Sequence, residues 1–181
     1  EGETRYDITT HQFINLYIQA LDQNDRKMRG GLIKSYRDYA IVVGHYMHNK
    51  GTLAYKERRY SQAQEMLEIG VDIFLRIGIT DELSKMLVLL GNIFQHNGEP
   101  KKSLPAYGAA LKLMKRDGNK DGERATLTIL GLIHRYRGDY EAAMRYANSA
   151  LDIAHDQGDP REIIYMTSNV AHVYRELGKY D

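Results

Sequence analysis

Apolar residues along this chain recur at helical spacing, and glycine cuts the pattern at regular intervals. In DYEAAMRYANSALDIA, residues 139–154, the side chains of Tyr140, Ala143, Met144, Ala147, Ala150, Leu151 and Ala154 fall on one face of a helix. Gly98, Gly138 and Gly178 follow one another at a spacing of 40 residues, and Gly78, Gly118 and Gly158 repeat the same spacing in a second phase. Both sets read as helix stops, since glycine accepts the left-handed conformation that closes a helix. A third set, Gly51, Gly91 and Gly131 with Ala171 in phase, falls in mid-helix. Glycine there costs about 1 kcal/mol against alanine, so close approach of a neighbouring helix is the expected reason for it. Tyr60, Tyr140 and Tyr180 share one more phase, with Pro100 in the second copy. The pattern predicts an all-α unit of helix, tight turn, helix, tight turn. Neither helix buries its apolar face alone, so the copies are expected to stack.

The period sets the expected organisation. Repeats are predicted at about 43–82, 83–122 and 123–162, with a partial copy over 163–181. In the first copy Lys50 replaces the leucine of the Leu-Gly pair and Ala54 replaces an aromatic, which predicts looser packing. Residues 1–42 do not follow the period. Thr9 or Thr10 is placed to cap a helix bearing Phe13, Ile14, Tyr17, Ile18 and Leu21, and Gly30-Gly31 breaks it. From Leu32 the series Tyr36, Tyr39, Ala40, Val43 and Met47 predicts one long helix running into the first repeat. The helix before it is expected to act as an N-terminal cap over an otherwise exposed end.

The stretches LLGNIFQHNGEPKKSLPAYGAAL and LG…RYRGDYEAAMRYANSAL resemble the tetratricopeptide repeat. The likeness lies in Leu90-Gly91 and Leu130-Gly131, the aromatics Phe94 and Tyr174, and the small residues Ala63, Ala110, Ala143 and Ala150 of the second helices. It covers about residues 43–181. The 40-residue period and the missing proline after the second helix look like the long-repeat branch seen in kinesin light chains and bacterial maltose-activator-type regulators. The resemblance implies a right-handed α-solenoid whose first helices line a concave groove for a protein or peptide. On that inner face would stand His45, His48, Thr52 and Tyr55; Lys85, Val88, Asn92 and Gln95, with His96 beside them; Ala125, Thr128, Leu132 and Arg135; and Tyr165, Ser168, His172 and Arg175. Asn92 sits where the family most often grips a peptide backbone. The lining holds no acidic side chain, which implies an acidic or polar peptide. His48 and Thr52 stand where a chaperone-type carboxylate clamp has lysine and asparagine, which argues against the tail of a heat-shock chaperone.

Composition changes this picture little. Hydrophobic residues make up 43% and charged ones 27%, the balance of a folded protein without a membrane span, and a net charge of +1 supplies no global field for nucleic acid. The longest apolar run, Met86 to Gly91, is far short of the roughly 18 residues of a membrane helix. The absence of cysteine removes disulfides and thiolate metal sites and fits a cytoplasmic location.

Candidate chemistry is sparse. DGNKDGE, residues 117–123, matches the opening of a calcium loop, but Thr128 stands where the bidentate glutamate belongs, so an inter-repeat turn is expected instead. His45 and His48 lack a supporting carboxylate at metal-site spacing, and His134 occupies an aromatic core position. No nucleophile elbow or phosphate loop is present. Neither an enzyme nor a cofactor or metal site is expected. Basic clusters such as Lys112, Lys115 and Arg116 are interleaved with acids and carry no aromatic platform, so they read as solvated faces.

Two functional classes follow. One is an interaction scaffold; the other is a ligand-sensing regulatory domain of a transcription factor or signalling enzyme. The chain opens without methionine, and GKYD at its end is in phase with GDYE, which opens a second helix. It is therefore expected to be part of a longer protein. Val170, Tyr174 and Leu177 lie on the face that such a helix would cover, so self-association through this C-terminal face is expected.

Overall fold

What closes every hairpin is one backbone device. In the computed structural model, which describes residues 32–80 and 82–178, left-handed residues recur every 20 positions at Gly78, Gly98, Gly118, Gly138, Gly158 and Gly178, with φ between 65° and 76°. The amide after the left-handed residue reaches the carbonyl five positions back: Ile79 to Phe74 at 3.0 Å, Glu99 to Phe94 at 2.7 Å, Asn119 to Met114 at 2.9 Å and Asp139 to His134 at 3.0 Å. These are Schellman closures, which satisfy carbonyls that the helix end leaves open.

Between the closures run seven α-helices among the described residues: α1 (Leu32–Lys56), α2 (Tyr60–Ile77), α3 (Leu83–His96), α4 (Pro100–Arg116), α5 (Lys120–Tyr136), α6 (Tyr140–Gln157) and α7 (Pro160–Glu176). The fold is all-α, built of helical hairpins, and α1 is the single long helix that the apolar series from Leu32 predicts. The capping helix expected before it lies outside the described residues. Helix starts follow the sequence chemistry. Asn119 accepts from the Gly122 amide, Asp139 from Ala142 and Asp159 from Arg161, each ahead of a first turn that has no internal acceptor. The Ala142 amide, and after it His134, hold the Asp139 carboxyl below its ordinary range.

The same closure appears once without glycine. Arg58 takes φ 61° in phase with the glycines, and the Arg59 amide reaches the Ala54 carbonyl at 2.9 Å. A left-handed conformation presses Cβ against the following carbonyl, at roughly 1–2 kcal/mol for a residue other than glycine. Arg58 is exposed, so its side chain contributes no core packing. Arg58→Gly should stabilise the chain by about 0.5–1 kcal/mol, the relief being offset in part by glycine's greater freedom when unfolded. A higher midpoint in urea or heat unfolding is the expected readout, and a lowered midpoint would contradict it.

The helices group into two units, one with α1 and α2 and one with α3 to α7. In the first, Ala40, Val43 and Met47 of α1 meet α2, whose buried face is Ala63, Leu67, Ile73, Phe74 and Ile77. Tyr39, grouped with the apolar series of α1 by the sequence, is instead exposed. In the second unit each helix packs on the next from α3 to α7. Leu127, Ala150, Ile153, Ala154 and Met166 form a core cluster there, which joins α5, α6 and α7. No helix among the described residues is long and apolar enough to cross a membrane.

Candidate functional site

The mid-helix glycines decide how closely the two helices of a hairpin approach. A Cβ built on Gly51 would stand 2.7 Å from Leu67 Cγ, and one on Gly91 would stand 2.7 Å from two atoms of the Tyr107 ring. In both places a side chain of the second helix enters the notch left by glycine. At Gly131 the backbone of the second helix itself makes the close approach. A Cβ built there would stand 3.5 Å from the Ala143 carbonyl oxygen and from Tyr146 Cβ, and 3.7 Å from the Ala147 amide nitrogen. The residue in phase with Leu67 and Tyr107 is Ala147, whose small side chain leaves room for that approach.

The hairpin meets α7 at a small apolar slot, lined by Thr128, Gly131, Leu132 and Arg135 of α5, Ala147 and Ala150 of α6, and Met166, Asn169 and Val173 of α7. Arg135 and Asn169 also border a more polar basin, shared with Tyr136, Tyr140, His172 and Glu176. The two first helices are held side by side here. Arg124 pairs with Glu162, and Thr128 Oγ1 donates to the Arg124 carbonyl at 2.9 Å and lies 3.4 Å from Met166 Sδ. The Arg135 guanidinium rests 5.4 Å from the Tyr136 ring centre, and Tyr136 is among the most exposed large side chains. Asn169 Nδ2 is buried and has no acceptor.

The remaining candidates fall into clear groups. On α1, His45 is exposed and meets Phe74 edge-on at 5.3 Å, Tyr55 packs on Tyr60 at 5.8 Å, His48 is half-buried, and the buried Thr52 hydroxyl has no partner. On α3, Lys85 is exposed and pairs with Glu82 at 2.9 Å, Val88 is half-buried, and His96 is exposed. Asn92 is anchored: its Oδ1 accepts from the Tyr107 hydroxyl at 2.6 Å, while Gln95 donates to Ser103 at 2.8 Å. Thr128, Leu132 and Arg135 on α5 come together at the slot, and Ala125 is exposed. On α7, His172 borders the basin and is hydrogen-bonded by Arg175; Tyr165 and Ser168 are exposed. Sequence reasoning missed Asn169, Met166, Val173 and the acidic Glu176.

The other motifs resolve as structure. Asn119 of DGNKDGE caps α5, and Glu123 is buried beside Lys115 and Lys120, at 3.8 and 3.1 Å. His134 is half-buried, with its ring 5.2 Å from that of Tyr146 and its Nδ1 3.0 Å from Asp139.

A family model described as tetratricopeptide repeat matches residues 82–156, which span α3 to α6. Among solved structures the chain is similar to BtubC (BKLC) from P. vanneervenii, at 20% identity and a TM-score of 0.71, with 98% of this chain and 69% of that one covered. It is also similar to a signal transduction ATPase with numerous domains that carries a tetratricopeptide repeat sensor, from Pyrococcus horikoshii, at 19% identity and a TM-score of 0.65. That match covers 88% of this chain and 26% of the other, so this chain spans about a quarter of its length. No curated protein matches the sequence.

Proposed function

We propose that this chain, a tetratricopeptide-repeat protein, is a non-catalytic recognition module, whose second unit binds a peptide segment of a partner protein along α3, α5 and α7. The observation that carries the reading is the junction at Arg135 and Asn169. An apolar slot and a polar basin meet there, which is the pairing of shape and hydrogen bonding that recognition surfaces use. Asn92, oriented by Tyr107, lies on α3 of the same unit. The proposed ligand is acidic or polar in character, because Arg135 has no carboxylate partner among the described residues, whereas Arg124 is already paired.

The test uses peptides selected from a random display library on the whole chain. Their affinity for the Asn92→Ala, Arg135→Ala double variant is expected to fall by about tenfold or more, read by fluorescence anisotropy. Unchanged affinity in a folded variant would place the site elsewhere.

A second reading draws on the likeness to the Pyrococcus protein with a repeat sensor. Here the module is the ligand-sensing part of a larger regulator, and occupancy of the same site shifts the equilibrium of an effector domain. The two readings part on one observation: an adjoining DNA-binding, kinase or nucleotide-hydrolysing domain in the full-length protein supports the sensor, and its absence supports the scaffold.

A further inference from the structure

Two opposite charges border the polar basin without neutralising each other. Arg135 stands on its α5 side and Glu176 on its α7 side, and among the described residues no ion pair joins them or gives Glu176 another cation. The Arg135 guanidinium is braced instead against the Tyr136 ring, 5.4 Å from its centre. The basin itself has a volume of about 510 Å³, within the range of natural ligand sites. We infer that it takes a peptide segment carrying both charges, with a carboxylate on Arg135 and an ammonium or guanidinium on Glu176. The inference rests on the peptide-binding reading above and adds a cation to the acidic ligand proposed there.

Helix α7 sets the spacing of the two charges. Asn169, His172 and Glu176 lie three and four residues apart, so they share one face of the helix, and all three border the basin. Asn169 Nδ2 is a buried donor without an acceptor, and buried amides are rarely left so. A ligand carboxylate would satisfy it together with Arg135, since both residues stand where slot and basin meet. Glu176 lies two turns further on, about 10 Å along the axis, and is the last residue of α7. A cation there also meets the negative end of the helix dipole. Between the two ends, Arg175 hydrogen-bonds His172 Nδ1. Arginine can only donate, so the ring proton sits on Nε2, the atom left for a ligand acceptor. A single amino acid, about 3.3 Å of chain, is too short to reach both ends, whereas three residues of extended peptide cover the distance.

Random dodecapeptides are selected by display on the whole chain, and enriched sequences are measured by fluorescence anisotropy. They are expected to carry Asp or Glu about three residues from Lys or Arg. Glu176→Gln should weaken their binding about two- to fivefold, the effect of one exposed ion pair, and Glu176→Lys about tenfold or more. Replacing the peptide's base by glutamine should weaken binding to the wild type by the same factor as Glu176→Gln, and should cost nothing further against that variant. A peptide with glutamate in place of the base should bind Glu176→Lys more tightly than the wild type. Glu176 is exposed, so both variants should keep the wild-type melt. Enriched peptides without a base, or binding that falls with Arg135→Gln but ignores Glu176, overturn the two-charge site and leave acidic-peptide recognition standing. Binding indifferent to Arg135 and Glu176 alike, or a library that yields no binder, overturns both.

Discussion

Tyr107→Ala is expected to cost the chain about 3–5 kcal/mol, among the largest effects open to a single truncation. Tyr107 is 1% exposed, its ring fills the notch at Gly91, and its hydroxyl donates to Asn92 at 2.6 Å. Alanine removes the buried ring, leaves a cavity between two helices that are fixed by turns at either end, and strips Asn92 of its donor. Tyr107→Phe keeps the ring and loses the hydrogen bond alone, so about 1 kcal/mol is expected. Urea unfolding of both variants separates the contributions. A Tyr107→Ala loss below about 1 kcal/mol would show that the ring is not the wedge between α3 and α4.

Gly91→Ala and Gly131→Ala should act in opposite directions although the sequence presents them as equivalent. At Gly91 the new methyl would stand 2.7 Å from a ring that is itself enclosed, and such overpacking costs about 1–3 kcal/mol. Against this, alanine favours the helix by about 1 kcal/mol, so the net effect is a loss. At Gly131 the nearest atoms lie at 3.5 Å, ordinary contact distance, and the helix gain should stand nearly undiminished. Thermal unfolding of the pair should give a lowered midpoint for Gly91→Ala and a raised one for Gly131→Ala. Equal shifts of one sign would refute the distinction between a glycine pressed by a side chain and one met by neighbouring atoms at contact distance.

That contrast marks how far the sequence could be read. The hairpin architecture was legible because its signals are local: a glycine that must be left-handed announces its position without reference to any partner. Hydrophobic period likewise marks buried Ala143, Ala147, Ala150 and Ala154 on α6 and Ala40, Val43 and Met47 on α1. Arg58 escaped because a left-handed residue without glycine leaves no compositional trace, although it stands in phase with Gly98 and Gly138. The slot depends on a pair, Gly131 and Ala147, and only the packed hairpin shows that they line it together. Thr128, Leu132 and Arg135 were placed by offset from a glycine on α5. On α7 that reference is Ala171, which is exposed. Asn169, one position from Ser168, lies about 100° away around the helix, and it is Asn169 that borders the slot.

The regular spacing of the Schellman closures limits how a chain of this kind can change in length. Each helix is locked at its end by a left-handed residue every 20 positions. One residue inserted within α5 would turn everything beyond it by about 100°, carrying the buried row of α5 out of register with α6. The packing of helices thus behaves as a reading frame. Single-residue insertions inside helices are frameshifts, whereas gain or loss of a complete hairpin keeps every following face in phase. Lengthening by duplication of whole hairpins is the route that this geometry leaves open, and each added copy brings its own mid-helix glycine, to be met by a bulky side chain or, where that residue is small, by the backbone of the second helix.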